Sequence, residues 1–368
     1  MSNYKNVHNY NHAAKERIGV LVCNLGSPDA PTPSAVRRYL AEFLWDPRVI
    51  EISRPLWWLI LNGIILRTRP KKSAHAYQSV WTDEGSPLFV TSKRQSESLQ
   101  FALEERVRGP VTVELAMRYG NPSIAEGLRR LHAANARRIL VLPLYPQYSA
   151  TTTASVFDAV MDELKTWRWM PEMRYINHYH DDQRYIQALN NSVLDHYRRE
   201  GKSEKLIFSF HGMPTRYFTN GDPYFCECQK TARLTAEALC LRDDQWMVTF
   251  QSRFGKEEWL KPYTDKTLEQ LAKDGVKKVT VVCPAFSADC LETLEEIEVE
   301  NRDIFLKAGG ESFSYVPALN DRQDHIEALA ELAVRHMQGW PELDKHWDFS
   351  RVGHELDERQ ARAKTMGQ

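Results

Sequence analysis

The feature that most constrains this chain is a strand–turn–helix order that occurs twice. Val20-Leu21-Val22-Cys23-Asn24-Leu25-Gly26-Ser27-Pro28 parallels Leu206-Ile207-Phe208-Ser209-Phe210-His211-Gly212-Met213-Pro214, each a strand-like run ending in Gly-x-Pro. Arg118-Tyr119-Gly120 parallels Arg253-Phe254-Gly255, and residues 137–142 parallel residues 277–282. The three pairs keep one order, so the chain reads as a duplicated α/β unit. Strand candidates at 18–23, 111–117, 139–144, 206–210, 247–250 and 279–283 alternate with amphipathic stretches, the pattern of parallel sheets with crossover helices. Thr32-Pro33 and Asn121-Pro122 each pair a capping side chain with a proline suited to a first helical turn.

The two halves differ in length. Gly26 and Arg118 are 92 residues apart, whereas Gly212 and Arg253 are 41 apart. An insertion of about fifty residues is therefore expected within about 45–92 of the first half. It carries Trp57, Trp58, Leu59, Ile60, Leu61, Ile64, Ile65 and Leu66, then Arg67, Arg69, Lys71 and Lys72. An apolar lip beside a cationic cluster suits a large flat ligand with carboxylate tails. An amphipathic core helix with a solvated basic end fits the same residues equally well. The expected division is a polar segment at 1–16, an α/β domain at 17–168, a second at 169–337 and a polar tail at 338–368.

Composition narrows the function classes. The chain has 48 basic and 49 acidic residues and no basic arm, which argues against nucleic-acid binding. Residues 1–16 lack the apolar core of a secretory signal, and the most hydrophobic stretch, 55–66, is too short to cross a bilayer. A cytoplasmic protein is expected, and a monomer. Of the six cysteines, Cys23 and Cys283 sit at strand ends and read as small buried hydrophobes. Cys226-Glu227-Cys228 could hold a soft metal, with coincidence the simpler reading.

Two residues stand where an open α/β sheet binds ligands, just past the carboxyl ends of strands. His211 follows the run at 206–210, and Gly212 and Pro214 turn the chain sharply behind it. Glu292 opens an acidic helix after Pro284-Ala285-Phe286-Ser287-Ala288-Asp289-Cys290-Leu291. One imidazole and one carboxylate suit a divalent first-row metal yet leave most of its coordination sphere open. Such a metal is passed on, not kept. Glu292, Glu296 and Glu300 recur every four residues and share one helical face, which could carry a hydrated cation. So many like charges repel each other, although a solvated acidic face remains the bland reading. His178-Tyr179-His180-Asp181-Asp182 looks like a metal site by composition, but it lies at a strand-to-helix junction and is assigned no catalytic role.

His211-Gly212-Met213-Pro214, the segment from Ser287 to Glu296, Tyr145-Pro146-Gln147-Tyr148-Ser149 and Gln251-Ser252-Arg253-Phe254-Gly255 together resemble the ferrochelatase family, in order, over nearly the whole chain. The resemblance implies two flavodoxin-like domains with a porphyrin cleft between them, and insertion of ferrous iron into protoporphyrin IX to form protohaem. It implies His211 and Glu292 as the metal and proton-transfer pair, with Glu296 and Glu300 continuing a metal path. Leu25, Tyr119 and Trp259 would line the macrocycle, Arg69, Tyr77 and Ser86 would face its edge or propionates, and Arg118 would lie on its other side. Iron would be a substrate, with no permanently bound cofactor. No cysteine follows Cys290, so the C-terminal iron–sulfur pattern of some members is missing and no cluster is expected. Peripheral membrane contact through the apolar lip also fits a greasy substrate. A chelatase for coproporphyrin or another tetrapyrrole, or a non-catalytic haem or metal carrier, is the alternative.

Overall fold

The computed structural model describes Tyr4, Asn11, residues 14–255 and residues 257–366, with Arg351 by its backbone alone. The expected polar segment 1–16 therefore falls mostly outside the described residues, as do the last two residues of the expected tail. Among the described residues eight strands form: β1 (Arg17–Asn24), β2 (Val111–Met117), β3 (Ala136–Pro143), β4 (Glu172–Tyr175), β5 (Lys205–His211), β6 (Trp246–Gln251), β7 (Lys278–Val282) and β8 (Ser312–Val316). They make two four-stranded sheets, ordered β2-β1-β3-β4 and β6-β5-β7-β8. Every pair in both sheets is parallel. The same order in both sheets is what the repeated segments predict. Central β1 is buried along all but its first residue, as a parallel strand covered by helices on both faces must be.

The order reverses between β1 and β3 in the first sheet and between β5 and β7 in the second. A crevice opens at such a point, outside the carboxyl ends of the strands. Pairing of Asn24 with Met117, and of His211 with Gln251, brings those ends level. Asn24 and His211 thereby end corresponding strands, with Leu25 the next residue past the first.

Between β1 and β2 the chain forms the helices Pro33–Trp45, Arg54–Ile60, Leu66–Val80 and Pro87–Glu104, with a π-helical turn at Leu61–Ile65. Thr32 caps the first of these, its side chain accepting from the Ala35 N–H with Pro33 following. The helix expected to start at Asn121-Pro122 starts instead at Ile124. Ser123 is its cap, in a reciprocal box with Glu126.

One hydrophobic cluster ties the two halves together. Ile18, Val20, Leu140 and Leu142 of the first sheet pack with Leu99 and Leu103, with Tyr185 and Leu189 of the helix Gln183–Glu200, and with Ile326, Leu329 and Ala333 of the helix Gln323–His336. Val193, further along Gln183–Glu200, packs in the second cluster with Leu206 and Phe208. The expected loose tail is also anchored at its start. Trp340 is 2% exposed in the first cluster, and its indole N–H donates to Glu172 Oε1 at 2.6 Å. Glu342 accepts from Arg138 at 2.9 Å, and its carbonyl accepts from the N–H groups of Arg108 and Gly109. A single large apolar residue in a charged run is enough to dock it. The helix Phe349–Thr365 then follows, with Phe349 exposed.

Candidate active site

A cleft of about 1280 Å³, counting its open mouth, lies at the carboxyl ends of β1 and β5. His211, Glu292, Leu25, Tyr77, Ser86 and Trp259 all line it. Leu88, Met213, Phe286 and Leu291 add apolar wall, and Tyr39, Phe43 and Tyr145 add aromatic wall. Tyr39 and Phe43 were not expected. Their spacing of four on the helix Pro33–Trp45 puts two rings on one face and was the available signal.

His211 is the last residue of β5, and its Nδ1 lies 2.6 Å from the carbonyl oxygen of Gly212. A carbonyl only accepts, so Nδ1 carries a proton and the Nε2 lone pair is left free in the neutral ring. Gly212 is needed there by close approach. A Cβ on it would stand 2.7 Å from the Gln251 carbonyl oxygen and 3.1 Å from the Trp259 ring. Gly212→Ala is accordingly expected to displace Trp259 at a cost of about 1–3 kcal/mol. The check is the urea midpoint, which should fall. Gly26, on the opposite wall, has φ +101°, and a Cβ there would fall 1.8 Å from the Tyr119 carbonyl oxygen.

Glu292 begins a π-helix, Glu292–Asn301, where an α-helix was expected. Its backbone follows the wider i→i+5 pattern, and the Asn301 side-chain amide donates to the Glu296 carbonyl at 2.7 Å. Residues four apart remain neighbours, so Glu292, Glu296 and Glu300 form a row. It runs from the cleft wall through half-buried Glu296 to exposed Glu300. Glu296 accepts from the Ser252 N–H at 2.7 Å and from the Ser252 hydroxyl. Burial raises its carboxyl above the usual carboxylate range, against the pull of Ser252 and the His211 imidazole. Burial likewise raises Glu295, reinforced by Glu300 and Glu296. Asp289 is spent on structure, accepting from Tyr315, Thr293, Asn320 and the Ala318 N–H.

Three expected residues lie off the wall. Tyr119 is fully buried, and its hydroxyl donates to Asp46 at 2.8 Å. Arg118 stacks over that ring at 4.5 Å, donates to Ser155 and pairs with Asp46. The two close a polar knot behind the cleft, because Asp46 is buried and needs their donors. Arg69 is half-buried, 4.8 Å over the Phe254 ring. Burial lowers its pKa, while the nearby Glu292 and Tyr77 pull it back up. Ser86 caps the helix Pro87–Glu104 and bonds to Ser27, so its hydroxyl is already engaged. Burial pushes the Tyr77 phenol well up, with Glu292 adding to the effect. On the wall, Trp259 Nε1, Tyr145 Oη and Gln147 Oε1 have no protein hydrogen-bond partner.

Residues 17–337 match the ferrochelatase family model. The chain belongs to the ferrochelatase family. It is 57% identical over 358 residues to the ferrochelatase of Thioalkalivibrio sulfidiphilus, covering 97% of each chain. The ferrochelatase of Marinobacter nauticus is 56% identical over 337 residues, 92% of this chain and 91% of that one. Among solved structures, SirB from Bacillus subtilis with Fe3+ shares the fold at a TM-score of 0.53 and 13% identity, covering 89% of this chain and 100% of that one. As a ferrochelatase-family member the protein is a metal chelatase, a lyase of haem biosynthesis that inserts metal into a porphyrin. Among the described residues no helix is long and apolar enough to cross a membrane.

Proposed function

We propose that this chelatase inserts ferrous iron into protoporphyrin IX, with His211 taking pyrrole protons and His211 and Glu292 holding the incoming iron. The observation that carries the reading is an imidazole anchored by Nδ1 at the Gly212 carbonyl, on the same apolar cleft as a carboxylate that heads an acidic row to the surface. A free-base porphyrin is flat and admits metal only when a pyrrole tilts and exposes a lone pair. Apolar contact with Leu25, Leu88, Met213, Trp259 and Phe286 offsets that distortion if the wall fits the bent ring better than the flat one. An imidazole is suited to accept protons near neutral pH. Two protein ligands are too few to retain iron against four ring nitrogens, so the metal moves on. Glu296 and Glu300 would lead iron in.

The apolar wall favours protoporphyrin over a tetrapyrrole with more carboxylates. We further propose a cytoplasmic monomer that touches membranes through exposed Leu56, Trp58, Leu59 and Ile64, with Arg67, Lys71 and Lys72 alongside. No permanent cofactor is proposed. Cys23, Cys228, Cys283 and Cys290 are buried, and burial pushes each thiol up, away from the thiolate a cluster needs.

The test is anaerobic incubation with ferrous iron and protoporphyrin, following porphyrin fluorescence and haem absorbance, with coproporphyrin compared alongside. Catalytic haem formation supports the reading, and faster turnover of coproporphyrin would reassign the substrate. Glu292→Gln should lower kcat about hundredfold with little change in the porphyrin KM. Near-normal turnover would remove Glu292 from the mechanism.

A further inference from the structure

Away from the cleft, two imidazoles and a carboxylate from distant parts of the chain converge. His178 and His180 lie in the loop between β4 and the helix Gln183–Glu200, and Glu227 projects from the helix Tyr224–Ala238. His178 Nδ1 is 2.6 Å from one Glu227 carboxylate oxygen, and His180 Nδ1 is 3.3 Å from the other. The candidate ligand atoms all lie within 4.8 Å of one another. We propose that His178, His180 and Glu227 form a second divalent-metal site, separate from the insertion site, that takes a borderline first-row ion such as Zn2+.

His180 provides the independent pointer. Its side chain is 7% exposed, and its Nδ1 has no aligned hydrogen-bond partner although it is aimed at the carboxylate. A buried ring nitrogen left so is poorly served by a plain ion pair and well served by a metal. Zn2+ holds nitrogen and oxygen ligands at about 2.0–2.1 Å in a tetrahedron, which spaces them roughly 3.3 Å apart. The His180–Glu227 separation of 3.3 Å already has that value. His178 must withdraw by less than an ångström from 2.6 Å, and with a side chain 46% exposed it is free to do so. Its exposure also gives the metal a way in and leaves a fourth position for water. The metal needs the Nδ1 lone pair, so a neutral His178 would bind as the tautomer that carries its proton on Nε2.

The frame around the three groups is fixed. The Thr231 hydroxyl donates to the His180 carbonyl at 2.8 Å, and the Tyr148 N–H donates to Glu227 at 2.7 Å. Asp181, paired with Lys230, stands 3.9 Å from His180 Nε2 on the outer side. Through Tyr148 the site backs the segment whose Gln147 and Ser149 line the cleft. Zn2+ binds such donors more tightly than Fe2+, so iron bound for the cleft would not displace it. The proposed ion pins a wall of the cleft without entering the reaction.

The test uses the full chain carrying both His211→Ala and Glu292→Gln, which silences the insertion site. Anaerobic titration with Co2+ should give one strongly absorbing, four-coordinate ion per chain, and Zn2+ should erase the visible band. Adding Glu227→Gln or His180→Ala should weaken Co2+ binding at least about tenfold. His178→Ala should do the same, and its exposed position keeps the test valid if either buried variant unfolds. A Co2+ band that survives all three substitutions, or the absence of any band, overturns the proposal.

Discussion

His211→Ala is expected to lower iron insertion by about 10²–10⁴-fold while porphyrin binding stays largely intact. On this reading apolar surface would hold the macrocycle, whereas the imidazole, anchored by Nδ1 at the Gly212 carbonyl, would serve the reacting centre. Fluorescence quenching of the porphyrin measures binding, and haem absorbance measures turnover. A loss of binding in step with activity would assign His211 to holding the Gly212 turn. A variant that bound porphyrin and still turned over would remove His211 from the mechanism.

Asp46→Ala should destabilise the fold by about 3–5 kcal/mol, the scale for removing one partner of a buried ion pair. The Asp46 side chain is 2% exposed and the Arg118 side chain 17%. Asp46 also accepts hydrogen bonds from the Tyr119 and Ser155 hydroxyls and from the Arg48 N–H. Burial tends to raise this carboxyl, yet Ser155, the Arg48 N–H and Arg118 together hold it below its ordinary value of 3.8. Its folded pKa therefore lies below its unfolded one. The stabilisation is fully present above 3.8 and is lost as the pH falls through the folded value. Urea midpoints of parent and variant should differ widely near neutrality and draw together in strong acid. A gap that widened on acidification would reverse the assigned sign.

What could be read from sequence followed from how strongly each element is patterned. Six strands with long apolar runs were legible, and their repeated order carried the two-sheet architecture. β4 and β8 were not. Glu172-Met173-Arg174-Tyr175 and Ser312-Phe313-Ser314-Tyr315-Val316 are short and half-polar, with no apolar run to mark them, unlike β2 and β6 at the opposite edges. His211 and Glu292 were legible as strand-end residues, and they meet on one cleft. The π form of the acidic helix was not, since every-fourth spacing looks alike in either helix. Arg118 and Tyr119 were expected on the cleft wall, but the buried Asp46 that draws them behind it sits 72 residues before Arg118. Glu227 lies 49 residues beyond His178, so composition alone left the histidines without their partner.

The helices Gln183–Glu200 and Gln323–His336 have a bearing on inheritance. Each repeat would need its own cover to be separable, but the final helix of the second lies on the cluster of the first sheet, and Trp340 follows it there. A gene cut between the repeats would yield a first half with Ile18, Leu140 and Leu142 open to water. The two halves are therefore expected to fold only together, each completing the core of the other.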